Sequence, residues 1–293
     1  MRTIFYLLSG IPHAPYLAAS LWTLRKHWRG PIQLYAWPES VEIAKKLYND
    51  DRLGISQLIE AEPTYRKKDG VGHNSQFIHK IEIAGQIAAD AVLYLDADTT
   101  VHGDLTPLFD MTIDHSFVAT QWNDWMSTSG IAHKRVLGLS EIDESFKPWV
   151  KLATSSPWPS VNGGVWACRP YSPVLQKWHD WTLRCKDIFI SDERVLHLMQ
   201  PLFYPTGDMV TVTAGGRYNS SPKFRSSKIK DEDVVVWHFH GDSNVRPENK
   251  SQKGYDLWWP IFEECLRENI GGIADWWDKV GNKWITKLKE LKG

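Results

Sequence analysis

Residues 91–98 read Ala91-Val92-Leu93-Tyr94-Leu95-Asp96-Ala97-Asp98. The first five are a continuous apolar run of the kind a buried strand shows. The two carboxylates that follow stand at i and i+2, which in an extended chain point to the same side. Open α/β sheets bind their ligands outside the carboxyl ends of their strands. Asp96 and Asp98 therefore present two hard oxygen ligands where a ligand belongs. They suit Mn²⁺ or Mg²⁺, which commonly complete their shells with phosphate oxygens. A divalent cation bridging a diphosphate neutralises charge that develops on a leaving group. An Asp-x-Asp triplet alone is short and common, and serves as often as a turn or a solvated charge. The strand in front of it gives this one its weight.

Outward from this stretch, β-branched or aromatic runs alternate with helical patterns, so the class is α/β. Thr3–Leu8 is expected to be a first strand. Leu17, Leu21, Leu24 and Trp28 recur at helical spacing until Gly30-Pro31 stops them. Ile32–Ala36 reads as a second strand and Glu39–Tyr48 as a helix. Asn74 or Ser75 is expected to cap a helix carrying Phe77, Ile81, Ala84 and Ala88 on one face. Beyond the acidic pair, Phe117–Trp122 and Gly164–Arg169 read as strands, and Ser191–Met199 as a helix with an acidic first turn. Val234–Phe239 reads as a late central strand. The Pro-, Ser- and Trp-rich stretches 155–160 and 220–227 read as loops over a site. No linker stands out, which divides the chain into a catalytic domain, 1–254, and a C-terminal helical extension, 255–293.

Composition narrows the function. The chain has 293 residues, 42% hydrophobic and 24% charged, which is ordinary for a globular protein. Its formal net charge is −1, from 34 basic and 35 acidic residues. That balance excludes the broad basic surface nucleic acid binding needs. The 16 Trp residues point weakly to sugars, because indole rings stack on sugar faces as well as filling cores. Cys168, Cys185 and Cys265 form neither a zinc pair nor a disulfide framework, so a reducing, cytoplasmic setting is expected. The N-terminal apolar run is too short for a signal peptide or a membrane span.

The longer stretch Val92-Leu93-Tyr94-Leu95-Asp96-Ala97-Asp98-Thr99-Thr100-Val101-His102-Gly103-Asp104-Leu105 resembles the signature of glycosyltransferase family 8. Those are retaining GT-A enzymes such as glycogenin and bacterial galactosyltransferases. Other segments follow in the family's order. Ala14–Leu21 resembles its first helix, and Lys80 its lysine that helps hold the donor. Asn162-Gly163-Gly164-Val165 resembles the turn near the donor sugar. Ser191-Asp192-Glu193-Arg194-Val195-Leu196 resembles its Asp-Gln-x-x-Leu helix start. Trp237-His238-Phe239-His240-Gly241 resembles the His-Phe-x-Gly segment whose histidine is the third metal ligand. The likeness spans roughly residues 1–247.

What the resemblance implies must be weighed against plainer uses of each residue. His238 ends an apolar run, where a histidine is often a satisfied core residue. The acidic pair upstream favours a ligand, since imidazole is a good Mn²⁺ partner. His240 faces the same way and competes, but the motif places the ligand at His238. Gly241 then allows close approach to the pyrophosphate. Asp192 and Glu193 are first-turn carboxylates that complement a helix dipole. The resemblance gives Asp192 a role in binding donor or acceptor sugar. Glu193 replaces the family's usual Gln, and could stabilise an oxocarbenium-like transition state or attack it covalently. Asp104 is expected to cap a short Leu105–Phe109 helix, and Asp124 loosely matches a sugar-contacting Asp.

Two departures matter. Ser9-Gly10-Ile11-Pro12-His13 stands where the family's uracil-contacting Asp segment belongs, so the base is open although UDP is expected. Arg246-Pro247 takes the place of the family's Lys-Pro-Trp diphosphate clamp after a short insertion, a role guanidinium suits. At the C-terminus Ile273, Trp277, Val280, Trp284 and Leu288 recur at helical spacing beside Lys279, Lys283, Lys287 and Lys289. An interfacial membrane helix is one reading, and a helix docked on the catalytic domain is favoured.

The resulting expectation is a GT-A fold, a mixed and mostly parallel sheet flanked by helices. It would transfer a hexosyl group from a nucleoside diphosphate sugar, UDP-linked by resemblance, to an unidentified acceptor hydroxyl with retention. Mn²⁺ or Mg²⁺ would be held by Asp96, Asp98 and His238. Donor contacts would come from Leu8, Ser9, Lys80, Ala97, Asp124, Asn162, Gly163, Gly164, Gly241 and Arg246. Two competing readings are a sugar-1-phosphate nucleotidyltransferase and a carbohydrate-binding protein without catalysis. The first normally shows a Gly-rich basic loop, and residues 9–20 hold one Gly and no Lys or Arg.

Overall fold

The computed structural model describes residues 1–65, 73–126, 136–156, 158–188, 191–213, 216–222, 229–239 and 254–276. Strands β1 (Arg2–Leu8), β2 (Ile32–Ala36), β3 (Gln57–Glu60) and β4 (Ala91–Leu95) come first, followed by β5 (Thr99–Val101). Then come β6 (Phe117–Met126), β7 (Pro159–Cys168), β8 (Met209–Val212) and β9 (Val236–His238). Seven of them form one sheet in the order β3-β2-β1-β4-β7-β6-β8. Only β7 runs against its neighbours, pairing antiparallel with β4 and β6, while the other pairs are parallel.

The continuous apolar character of β1 and β4 has a direct cause. Ile4, Tyr6 and Leu8 enter the core on one face of the sheet, with Ala91, Leu93 and Leu95. Phe5, Leu7, Val92 and Tyr94 enter the core on the other. A strand covered on both faces gains nothing from alternation. The first face is packed by the helices Ala14–His27 and Val41–Tyr48, the second by His73–Gln86, Pro173–Arg184 and Ser191–Phe203. Much of the tryptophan excess is spent here, since Trp37, Trp166, Trp178 and Trp258 are fully buried.

Several expectations need correcting. Val234–Phe239 is not a central strand. Only Val236–His238 forms a strand, and it pairs antiparallel with β5 in a separate two-stranded sheet. The run is apolar because it lies over the first core, not because it enters the large sheet, where β1 and β7 already occupy both edges of β4. The supposed loop 155–160 is part helix, Lys147–Ser155, and part strand, since β7 starts at Pro159. Asn74 and Ser75 lie inside the helix His73–Gln86 rather than capping it. Ser172 is the cap that pattern reading passed over, its Oγ accepting from the backbone N–H of Val174 at 3.2 Å and Leu175 at 3.4 Å. Asp104 does act at a helix start, accepting from Thr106 N–H at 2.8 Å before Thr106–Asp110.

The helix Tyr255–Arg267 buries Trp258, Phe262 and Cys265 in the first core, with the Trp258 and Tyr16 rings 5.0 Å apart. Asp50 and Arg52 clasp the chain just beyond it. Gly271 N–H donates to Asp50 at 2.7 Å, and Arg52 donates to the Glu268 carbonyl at 3.0 Å. Ile273 is buried too, whereas Trp277, Val280, Trp284, Leu288 and the accompanying lysines lie outside the described residues. No helix among the described residues is long and apolar enough to cross a membrane.

Candidate active site

At the end of β4 the chain turns sharply. Asp96 N–H donates to the Gly164 carbonyl at 2.8 Å, and Thr99 Oγ1 donates back to the Asp96 carbonyl at 2.9 Å. This turn starts β5, whose register places Thr99 opposite His238. Phe239 N–H donates to the Asp98 carbonyl at 2.8 Å. A short, easily overlooked two-stranded sheet therefore carries a histidine to an acidic pair far from it in sequence. His238 Nε2 lies 3.4 Å from Asp96 Oδ2 and 3.3 Å from Asp98 Oδ1. The imidazole is 1% exposed, against 26% and 20% for the two carboxylates, so the acids face the opening and the ring forms its floor.

Electrostatics show what such a cluster requires. Burial lowers the His238 pKa, but the charges of Asp98 and Asp96 outweigh it and push the value up to about 9. Burial raises that of Asp96, and the Lys80 and His238 charges overcome it, holding the carboxyl well below the usual range. The site thus demands positive charge between its oxygens, and a proton on His238 supplies it when nothing else does. A divalent cation fits the donor set. One ligand atom from each of Asp96, Asp98 and His238 falls within 4.8 Å of the others, and two carboxylates with an imidazole suit Mn²⁺. Gly164 keeps the space clear. A Cβ there would sit 2.2 Å from His238 Cε1 and 2.6 Å from Asp96 Oδ2.

Beside this cluster lies a second one. Lys80, 2% exposed, places Nζ 2.9 Å from Asp192 Oδ2 and 4.0 Å from Asp96 Oδ1, and donates to the Gly163 carbonyl at 2.7 Å. Burial lowers its pKa, and the Asp192 and Asp96 charges more than offset this, so the group is an ammonium. Gly163 has its own reason to be glycine, because a Cβ would meet Asp192 Oδ2 at 2.6 Å. Asn162 Oδ1 accepts from Gly164 N–H at 2.7 Å, and its Nδ2 donates to Glu193. Lys80, Asp96, Asp98, Asn162, Gly163, Gly164, Asp192, Glu193 and His238 therefore form one connected region.

Other expected residues meet it less directly. Ala97 is buried between the two acids. Leu8 is a core residue whose carbonyl accepts from Trp37 N–H at 3.0 Å. Ser9, at the end of β1, donates to Gln76 Oε1 at 2.5 Å. Asp124 lies on β6. His240, Gly241 and Arg246 fall outside the described residues. Residues 9–13 form a short turn into the first helix and hold no Lys or Arg, unlike a triphosphate-gripping loop.

Three supporting residues escaped sequence reading. Tyr94 donates its hydroxyl to Asp96 Oδ1 at 2.6 Å. His197, fully buried, donates from Nδ1 to the Glu193 carbonyl at 2.8 Å and accepts Val161 N–H on Nε2 at 3.2 Å, tying helix Ser191–Phe203 to β7. Asn219 accepts on Oδ1 from His238 Nδ1 at 2.9 Å. A helical i, i+4 spacing links Glu193 to His197. No pattern marks Asn219, which sits in a Gly- and Ser-rich stretch.

No protein-family model matches the chain, and no curated protein sequence matches it. Solved structures do. The galactosyltransferase LgtC, in complex with donor and acceptor sugar analogs, aligns with a TM-score of 0.57 at 18% identity, over 89% of this chain and 95% of that one. Mouse xyloside xylosyltransferase 1 in its apo form aligns at 0.54 and 12% identity, over 84% and 100%. The bifunctional glycosyltransferase WbbM aligns at 0.59 and 13% identity, over 89% and 49%. The mixed seven-stranded sheet flanked by helices is thus the GT-A fold those transferases share.

Proposed function

We propose that this protein is a metal-dependent glycosyltransferase of the family 8 type, moving a hexosyl group from a UDP-sugar to an acceptor hydroxyl with retention. The observation that carries the reading is the convergence of Asp96, Asp98 and His238 within 4.8 Å, next to the buried Lys80–Asp192 pair and the Asn162–Glu193 contact. Asp96, Asp98 and His238 would hold Mn²⁺ or Mg²⁺, which when bound supplies positive charge for the diphosphate oxygens. Shared architecture with sugar transferases raises the prior but does not assign chemistry, which must come from the site.

In this reading the bond from the anomeric carbon to the β-phosphate oxygen breaks, and its electron pair leaves with the phosphate. The acceptor oxygen bonds to the same face of that carbon and gives its proton to the departing oxygen. Asp192 and Glu193 take different parts because their partners differ. Asp192 is neutralised by an ammonium at 2.9 Å and suits hydroxyl binding. Glu193 accepts from the Asn162 amide, which orients its carboxyl for a role towards a cationic sugar. Lys80 and the backbone at Gly163-Gly164 would line the donor side, and Ser9, at the end of β1, the base side.

Release of UDP from a panel of UDP-sugars, with Mn²⁺, with EDTA and with Asp98→Ala, tests this reading. Turnover should need both the metal and Asp98. Turnover that survives both losses would sink the central claim. The anomeric proton coupling of the product decides stereochemistry, and an inverted product would remove the retaining assignment.

A further inference from the structure

We infer that Asn219 is a positioning residue that holds the proton of neutral His238 on Nδ1 and so leaves Nε2 bare for the cation. The inference rests on the metal reading above and deepens it. Asn219 is fully buried, and its segment runs beside β9, where Ser220 N–H donates to the Val236 carbonyl at 2.9 Å and the Ser220 carbonyl accepts His238 N–H at 2.8 Å.

The hydrogen-bond logic has a single solution. Thr120 Oγ1 donates its one proton to the Val165 carbonyl at 2.6 Å. Towards Asn219, 3.0 Å away, it can therefore only accept, so that atom of Asn219 must be the Nδ2 amide. A second lock agrees. Asn162 Oδ1 is identified by Gly164 N–H, which can only donate, and it faces the same Nδ2 at 3.5 Å. With Nδ2 committed on that side, Oδ1 is the atom that meets His238 Nδ1 at 2.9 Å. An oxygen there requires the proton on Nδ1. The lone pair of the neutral ring is then on Nε2, the nitrogen that faces Asp96 and Asp98. Were the amide turned over, its N–H groups would demand a bare Nδ1. The ring proton would then stand on Nε2, where it blocks ligation.

The experiment is Mn²⁺ binding to the full chain, read from the electron paramagnetic resonance of free Mn²⁺, for wild type, Asp98→Ala, Asn219→Leu and Thr120→Val. Asn219→Leu should bind about 10–100-fold more weakly, the usual cost of losing the partner of a ligating histidine. Thr120→Val touches neither the cation nor its ligands and nearly keeps its volume, yet it removes the nearer of the two acceptors that hold the amide, leaving only Asn162 Oδ1 at 3.5 Å, and should weaken binding several-fold. A merely structural role for Thr120 would lower thermal stability and leave Mn²⁺ affinity unchanged. Should Asn219→Leu fail to fold, Thr120→Val decides alone. Affinity within twofold of wild type in the folded variants would overturn the inference. A wild type that binds no better than Asp98→Ala would instead overturn the metal reading, and this inference with it.

Discussion

Lys80 and Asp192 meet at 2.9 Å with both side chains almost wholly out of water. Desolvating two charges costs several kcal/mol each, and each partner supplies part of what the other lost. Lys80→Met should therefore remove the ammonium that faces Asp192 and cost about 3–5 kcal/mol in urea unfolding. Lys80→Met combined with Asp192→Asn should be less damaged than the sum of the two single changes. Strict additivity would mean that the ion pair is not what couples them.

Gly164→Ala should abolish cation binding while the chain still folds. The new methyl would stand 2.2 Å from His238 Cε1 and 2.6 Å from Asp96 Oδ2, so one ligand must move. Overpacking of that kind costs about 1–3 kcal/mol. Gly85→Ala is the contrasting case. It lies in the helix His73–Gln86, its nearest neighbour would be 3.8 Å from the added carbon, and it should stabilise by about 0.5–1 kcal/mol. Calorimetric titration with Mn²⁺ separates the two. Normal binding by Gly164→Ala would show that the cluster can open without loss.

The two neighbouring acids should separate in steady-state kinetics. If Glu193 has the proposed role, Glu193→Gln, which keeps its shape but removes the carboxyl, should lower kcat by about 10²–10³-fold with little change in KM. Asp192→Asn breaks the pairing with Lys80 and should raise KM as well. Equal kcat for wild type and Glu193→Gln would confine Glu193 to hydrogen bonding with Asn162.

Much of this was legible in the chain because it is local. The run Ala91–Leu95 with its acids, and the strand–helix alternation of the first half, depend on neighbours in sequence. The acidic first turn at Ser191–Glu193 is also local, and the helix forms with both carboxylates in the site. What sequence hid depends on pairing across distance. β8 is a four-residue strand whose place beside β6 is set by register alone. Val234–Phe239 misled because burial over one core reads like burial within the sheet. Asn219 and His197 carry no periodic signal, since a single polar side chain acquires its meaning only from the atoms it faces.

Acidity offers the most direct view of the cluster. His238 has its pKa raised from 6.5 in the unfolded chain to about 9 in the fold. Its contribution to stability is therefore complete below about pH 6.5 and fades as pH rises towards 9. Asp96 moves the other way. Its contribution is present above its ordinary value near 3.8 and is lost only as pH falls through its depressed one. In EDTA, the melting temperature should thus fall between about pH 6.5 and 9. A cation must displace the proton on Nε2, so its affinity should climb by nearly tenfold per pH unit over the same window. Mg²⁺ added at fixed concentration then stabilises more at pH 8.5 than at pH 6.5, because the gain follows RT ln(1 + [L]/Kd). The two melting curves should separate as pH rises, one falling and the other held up. In Asp98→Asn the separation should largely vanish, since the first charge that lifts His238 is gone. An EDTA curve that stays flat or rises across this window would show that His238 is not held as an imidazolium by Asp96 and Asp98.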